Sequence, residues 1–129
     1  MPLLKFHIKT GWSQDQVDRL LDTTHEVMVE TFKVPERDRY QIVNEHAGSH
    51  FRALDTGLGF DRTEKFVLIE IVSRPRPEEQ KIKFYEKLSQ DLERECRIAP
   101  TDLMFSFITN SDEDWSFGQG RAQFLTGEL

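Results

Sequence analysis

Two arginines in the segment Ser73-Arg-Pro-Arg-Pro77 have the spacing of an anion-binding clamp. Proline holds the residue before it in extended backbone, and side chains two apart on an extended segment share a side, so Arg74 and Arg76 should converge. A guanidinium binds a carboxylate through two parallel hydrogen bonds. The pattern therefore favours recognition of a small carboxylic acid, and the alternative is a solvated basic turn paired with Glu78 or Glu79.

The amino terminus, Met1-Pro2, is a second candidate. Initiator methionine is usually removed before a small residue, which would leave Pro2 as a free secondary amine. An α-amino group titrates at about pH 8 in model peptides. Such an amine can act as a base, an acid, a cationic hydrogen-bond donor or an imine former. The alternative is that proline at this position has no function.

Asp38, within Glu36-Arg-Asp-Arg-Tyr40, lies where a parallel neighbour of the Pro2 strand would begin. A carboxylate near the prolyl amine favours its protonated form, whereas the two arginines of the clamp oppose it. Each interaction is worth roughly 4 kcal/mol at about 4 Å before solvation, so inspection does not decide the sign. The alternative is a surface salt bridge with a neighbouring arginine.

Two stretches with the same order of elements would position these groups. Residues 3–9 and 40–43 are predicted strands on either side of a helix that begins with the capping box Ser13-Gln-Asp-Gln16. In the second half, strands at 66–73 and 103–108 enclose a helix that begins near Pro77. The apolar stripes of the helices are Val17, Leu20, Leu21, Thr24, Val27, Met28 and Phe32 in the first, and Phe84, Leu88 and Leu92 with Ile82 and Tyr85 in the second.

The two helices align at an offset of 63 residues and Asp38 aligns with Asp102 at 64, which predicts a duplicated unit. We expect a single α/β (α+β) domain over residues 1–129. Its duplicated β-α-β units, about 2–46 and 66–109, would form a four-stranded, mainly parallel sheet with two helices on one face. A sheet covered on one face only needs a partner, so we expect a homo-oligomer.

Two segments fall outside this repeat. Residues 44–65 are interpreted as a long excursion that could hold a short hairpin. The C-terminal arm, 110–129, carries large apolar side chains that need a surface to pack on. The acidic run Ser111 to Asp114 within the arm is interpreted as a solvated turn.

Composition restricts the partners. The chain has 17 Lys+Arg against 23 Asp+Glu, a net charge of −6, which disfavours bulk binding of nucleic acid. The longest apolar stretch, residues 66–69, is far too short for a membrane span, and we see no signal peptide. The single cysteine, Cys96, excludes an internal disulfide and is typical of a reducing cytoplasm. His46 and His50 have i, i+4 spacing, but Gly48 between them disfavours a helical metal site, so we expect no metal.

The sequence resembles the tautomerase superfamily and, within it, the malonate semialdehyde decarboxylase family. The blocks that carry the resemblance cover nearly the whole chain, residues 45–65 excepted: Pro2–Phe6, Leu21–Glu30, Val34–Gln41, Ser73–Gln80, Asp114–Gly118 and Phe124–Gly127. The resemblance implies a duplicated β-α-β fold, a homotrimer and an amino-terminal proline exposed by removal of methionine. It implies no metal and no organic cofactor.

The resemblance also implies roles for matching positions. Pro2 would be the catalytic amine and Asp38 the carboxylate that sets its protonation. Arg74 and Arg76 would bind the substrate carboxylate and polarise its carbonyl. The apolar wall of the pocket would be formed by Trp115, Phe117, Phe124 and Leu129.

The expected activity is decarboxylation of malonate semialdehyde (3-oxopropanoate) to acetaldehyde and CO₂. Pro2 would act as a cation or through an iminium, and the sequence does not choose between the two. The alternatives are a keto-enol tautomerase or a hydratase acting on 2-oxo or unsaturated acids, and a non-catalytic trimer that binds small acids.

Overall fold

The computed structural model describes residues 2–129. Strands and long helices follow in the order β1, α1, β2, β3, α2, β4. Their bounds are β1 Leu3–Lys9, α1 Gln14–Phe32, β2 Tyr40–His46, β3 Val67–Ser73, α2 Glu78–Cys96 and β4 Leu103–Thr109, and a one-turn helix α3 occupies Gln123–Thr126. Short 3₁₀ turns lie at Gly48–His50, Pro100–Asp102 and Asp112–Asp114.

The four strands form one sheet in the order β2-β1-β3-β4. β1 is parallel to β2, β3 is parallel to β4, and the two pairs join antiparallel through β1 and β3. This is the predicted mainly parallel sheet of two β-α-β units, each with its helix as the crossover connection. The antiparallel joint brings the start of β1 beside the end of β3, since Leu3 pairs with Val72.

The repeat differs from the prediction by one residue. Gln14 and Glu78 begin the two helices, so the helices align at 64 positions rather than at the predicted 63. β2 and β4, which begin at Tyr40 and Leu103, are the elements that align at 63. The second unit therefore lacks one residue in the loop that follows its helix.

One face of the sheet forms the core with the two helices. Alternate residues of β1 and β3 point toward the helices and are buried, as the two-residue period of a strand requires. The predicted capping box is confirmed, since Ser13 Oγ accepts from the N–H of Gln16 and Gln16 Oε1 accepts from the N–H of Ser13. Ile82 departs from the predicted stripe of the second helix, with 48% of its surface exposed.

The other face of the sheet is partly open. Tyr40 and Ile42 of β2 and Met104 and Ile108 of β4 are between 43% and 50% exposed. No strand lies between β2 and β3 in residues 47–66, so the suggested hairpin is wrong. Asp55 explains the difference, because its carboxylate accepts from the N–H groups of Gly57 and Gly59 and closes a local turn instead of a strand ladder.

Neither long helix has an apolar stretch long enough to cross a membrane within residues 2–129.

Candidate active site

The candidate site lies where the start of β1, the loop before β2 and the end of β3 meet. Pro2 is buried and directly precedes Leu3, which pairs with Tyr40 on one side and Val72 on the other. The sheet register thus brings Pro2, Asp38 and Arg74 together at one end of the central strands. The predicted removal of Met1 lies outside the described residues.

Arg76 is held by the end of β3 and by the first helix. Its Nε donates to Ser73 Oγ at 3.1 Å, and Ser73 is only 1% exposed. The guanidinium lies over the ring of Phe32, with 5.6 Å between Cζ and the ring centroid. Burial lowers the pKa of Arg76 and the charge of Arg74 adds to this, whereas Asp38 opposes it. These contacts fix the guanidinium close to both charged groups.

Arg74 is held by the C-terminal arm instead. Its Nη1 donates to Asp112 Oδ1 at 3.0 Å. Its Cζ lies 3.6 Å from the ring centroid of Phe124, which is a close cation–π contact. Within residues 2–129, the buried Nε of Arg74 has no hydrogen-bond acceptor. The suggested pairing of the clamp with Glu78 or Glu79 is replaced by this pair with Asp112, and the acidic run is not merely a solvated turn.

Asp38 is 5% exposed, so its reading as a surface salt bridge is wrong. Its neighbour Arg39 reaches Asp22 instead, at 2.7 Å. Burial raises the pKa of Asp38, and the positive charge of Arg76 opposes the rise. The carboxylate is therefore close enough to Arg76 for the charge of the guanidinium to act on it.

Aromatic rings from the arm line the site. Trp115 stacks on Phe117 with 5.4 Å between centroids and 8° between planes, and Phe124 meets Phe117 edge to face at 5.4 Å. Tyr40 of β2 extends this row, 5.9 Å from Phe117. Leu129 is 57% exposed and joins the arm through its N–H, which donates to the carbonyl of Gln123. The structure therefore groups three of the four predicted wall residues, and Leu129 lies at their margin.

Sequence reasoning missed the residues that position these groups. Gln123 is buried and ties the arm together, because its Oε1 accepts from the N–H of Phe117 and its Nε2 donates to the carbonyl of Gly118. Ser73, Phe32 and Asp112 hold the arginines. Phe32 and Asp112 look ordinary in sequence because their partners, Arg76 and Arg74, lie 44 and 38 residues away.

His46 does not pair with His50. Its Nε2 lies 2.9 Å from Nδ1 of His7, and Nε2 of His7 lies 3.0 Å from Oε2 of Glu70, on the sheet face opposite the helices. Within the described residues, no group of three or more His, Cys, Asp or Glu side chains is arranged to hold a metal ion.

A cavity of about 550 Å³ lies at the other end of β1. Its lining includes Thr10, Trp12, Arg19, Lys65, Cys96 and Arg97. Burial raises the pKa of the Cys96 thiol, which keeps it protonated and weakens it as a nucleophile. None of the predicted site residues lines this cavity.

Comparison with known proteins agrees with the fold. A family described as tautomerase enzyme matches residues 38–118, and another with the same description matches residues 2–61. The probable tautomerase YrdN of Bacillus subtilis (strain 168) is 54% identical over 129 residues, 100% of both chains. The chain belongs to the tautomerase family.

Solved structures narrow the likeness. A crystal structure of malonate semialdehyde decarboxylase, from a study of decarboxylase and hydratase activities, is 50% identical, covers 98% of both chains and has a TM-score of 0.96. A malonate semialdehyde decarboxylase inhibited by 3-bromopropiolate is 34% identical, covering 98% of this chain and 97% of that one, with a TM-score of 0.94. A fused 4-OT described as a symmetric trimer, 18% identical over 97% of this chain and 98% of that one with a TM-score of 0.78, shares the fold.

Proposed function

We propose that this chain decarboxylates malonate semialdehyde to acetaldehyde and CO₂, without a cofactor, through the amine of an amino-terminal Pro2. The observation that carries the proposal is the convergence of Arg74, Arg76 and buried Asp38 at the end of the sheet where Pro2 precedes β1. The likeness to malonate semialdehyde decarboxylase at 50% identity supports the same substrate.

Arg76 is the better fork for the substrate carboxylate. Its Nε is occupied by Ser73, and within residues 2–129 its two terminal nitrogens make no hydrogen bond to the protein. The two terminal nitrogens of a guanidinium match the two oxygens of a carboxylate. Arg74 lies beside it, and its charge would polarise the carbonyl of the substrate.

The reaction breaks the bond between the carboxylate carbon and the adjacent CH₂. The electron pair of that bond passes to the aldehyde oxygen as an enolate, which a proton on carbon then converts into acetaldehyde. The catalyst must stabilise the negative charge that develops on oxygen. A cationic Pro2 can do so, or Pro2 can form an iminium that accepts the electron pair and is later hydrolysed. Both routes need a free prolyl amine.

Asp38 and the aromatic wall would assist in different ways. A carboxylate close to the prolyl amine favours the protonated amine, which the cationic route uses, whereas the iminium route begins with attack of the neutral amine on the aldehyde carbon. The rings of Phe117 and Phe124 would replace water beside the carboxylate and favour release of neutral CO₂.

We further propose that the working particle is a homotrimer in the cytoplasm. The trimer is supported by the exposed apolar side chains on the open sheet face, Tyr40, Ile42, Met104 and Ile108. A fold shared with a fused 4-OT described as a symmetric trimer is consistent with this assembly. The cytoplasm is inferred from the single, free Cys96.

An NMR time course with malonate semialdehyde tests the activity. We expect acetaldehyde to appear with wild-type protein, and not with Pro2→Ala under the same conditions. Wild-type protein that forms no acetaldehyde would remove the specific assignment.

Tautomerisation is the second candidate, because the 54% identical relative is a probable tautomerase. A parallel time course with phenylenolpyruvate separates the two activities, since a tautomerase moves only a proton and releases no CO₂.

A further inference from the structure

Local backbone structure fixes the position of Asp112 beside Arg74. Within residues 111–114, the N–H and Oγ of Ser111 both donate to Asp114 Oδ2, which closes the 3₁₀ turn. The N–H of Asn110 donates to the carbonyl of Ser73 at 2.9 Å, so this turn is attached directly to the end of β3. The Asp112 carboxylate is therefore held at 3.0 Å from Arg74 Nη1 by backbone structure on both sides of the pair.

Because of this ion pair, the two arginines differ in their capacity to bind a ligand. Arg74 has one nitrogen on Asp112 and one face on Phe124, so much of its capacity to bind an anion is already used. Within the described residues, the only hydrogen bond of the Arg76 guanidinium is the one from Nε to Ser73, and its terminal nitrogens remain for a ligand. Each arginine thus has its own carboxylate neighbour, since Asp112 pairs with Arg74 and the charge of Asp38 acts on Arg76.

We propose that Asp112 determines specificity by restricting this site to monocarboxylates. The inference rests on the proposed function, in which Arg76 holds the substrate carboxylate. A second carboxylate on the same small ligand would have to compete with Asp112 for Arg74 and would face a like charge. An uncharged aldehyde oxygen at the same position meets no such repulsion and can still accept a hydrogen bond from Arg74.

Two unreactive acids of equal carbon number test the inference: propanoate, with one carboxylate, and malonate, with two. Binding can be followed by ¹⁵N NMR at the indole N–H of Trp115, which donates to Asn110 Oδ1 at 2.8 Å and lies in the aromatic wall. Asp112→Asn removes the charge and keeps the shape. Glu113→Gln is the matched control, because it removes one charge from the same exposed turn without a contact to Arg74.

We expect Asp112→Asn to raise the affinity for malonate relative to propanoate roughly fivefold, a size suited to a half-exposed ion pair. Glu113→Gln should leave the ratio at the wild-type value. The inference is overturned if Asp112→Asn leaves the ratio unchanged, or if both variants change it equally. Asp112→Ser serves as a second test that also removes the charge.

The decarboxylation assay keeps the two proposals separate. Acetaldehyde formation by the wild type together with an unchanged affinity ratio in Asp112→Asn would reject the specificity role and leave the activity in place. A wild type that binds neither acid and forms no acetaldehyde would reject both.

Discussion

Asp38 and Asp102 occupy equivalent positions in the two β-α-β units, and both are buried, with 5% and 2% of their surfaces exposed. Asp102 accepts hydrogen bonds from the N–H and the hydroxyl of Thr63, so its carboxylate anchors the segment that leads into β3. Burial raises the pKa of Asp38, and the charge of Arg76 opposes this rise. The same residue type at the same place in a repeat is thus used once for structure and once, we propose, for chemistry.

The residues near the two aspartates also differ between the two units. At an offset of 64 positions, Phe66 corresponds to Pro2, and Thr10 and Trp12 correspond to Arg74 and Arg76. Phe66 is 1% exposed and fills with a ring the position where the other unit has the proline. A duplicated scaffold therefore offers two similar ends, and side chains at a few positions distinguish the end that we propose binds an anion.

The largest expected effect distinguishes the two ends directly. Arg76→Ala should lower kcat/KM for decarboxylation by about 10²–10³-fold, because it removes the hydrogen-bonded charge partner of the substrate carboxylate. Steady-state kinetics with malonate semialdehyde measure it. Arg19→Ala, at the cavity beside Thr10, should change kcat/KM by less than about twofold, since surface substitutions away from a site have small effects. Equal losses in both variants would contradict the assignment of function to one end.

Exchange of the two aspartates for asparagine should give opposite phenotypes. Asp38→Asn should lower kcat/KM about 10²-fold and leave the protein folded, because the carboxylate acts on charges in the site. Asp102→Asn should keep the activity of the folded protein but lower the free energy of unfolding by about 1–3 kcal/mol, since it disturbs buried hydrogen bonds to Thr63. Kinetics and urea denaturation of both variants measure this. The comparison would be overturned if Asp38→Asn lowered only the stability and Asp102→Asn lowered only the activity.

The pH dependence of stability sharpens the same contrast. Burial raises the folded-state pKa of Asp38, so its protonated form contributes stability below the unfolded pKa of about 3.9, and this contribution is lost as pH rises through the folded pKa. Asp38→Asn cannot ionise and should be more stable than wild type at pH 7, with the difference closing toward pH 4. Denaturation curves across this range measure the difference in free energy of unfolding between the two proteins. The expectation would be contradicted if wild type became the more stable protein as pH rises.

The smallest effect concerns what the two units share. Lys33 and Arg97 end α1 and α2 in the same left-handed conformation, both with φ of 56°. Glycine adopts this conformation without strain, so Lys33→Gly and Arg97→Gly should each raise the free energy of unfolding by about 0.5–1 kcal/mol. Thermal denaturation of the single and double variants tests whether the two gains are equal and additive. Unequal gains would show that the two helix ends differ in energy although their backbone angles are the same.

Local sequence patterns predicted most of the fold. The capping box at Ser13 and the apolar stripe of α1 are short-range signals, and both correspond to the structure. The hairpin in residues 44–65 was wrong because the carboxylate of Asp55 satisfies the backbone there, which no period reveals. The antiparallel joint of β1 and β3 depends on packing between the units and was not deducible from either alone.

The site was predictable to the extent that its residues stand beside one another in the chain. Arg74 and Arg76 are two apart, and a proline after each fixes their geometry. The residues that hold them could not be found in this way, since Asp112 lies 38 positions beyond Arg74 in a run that looks like any acidic turn. Long-range contacts of this kind follow from the fold rather than from spacing.

The intact mass of the purified protein tests the central claim, that a free amine of Pro2 completes the site, most directly. We predict a mass lower than that of the 129-residue chain by one methionine residue. A protein that retains Met1 has no secondary amine at Pro2. Full mass in a preparation that still forms acetaldehyde would contradict the account.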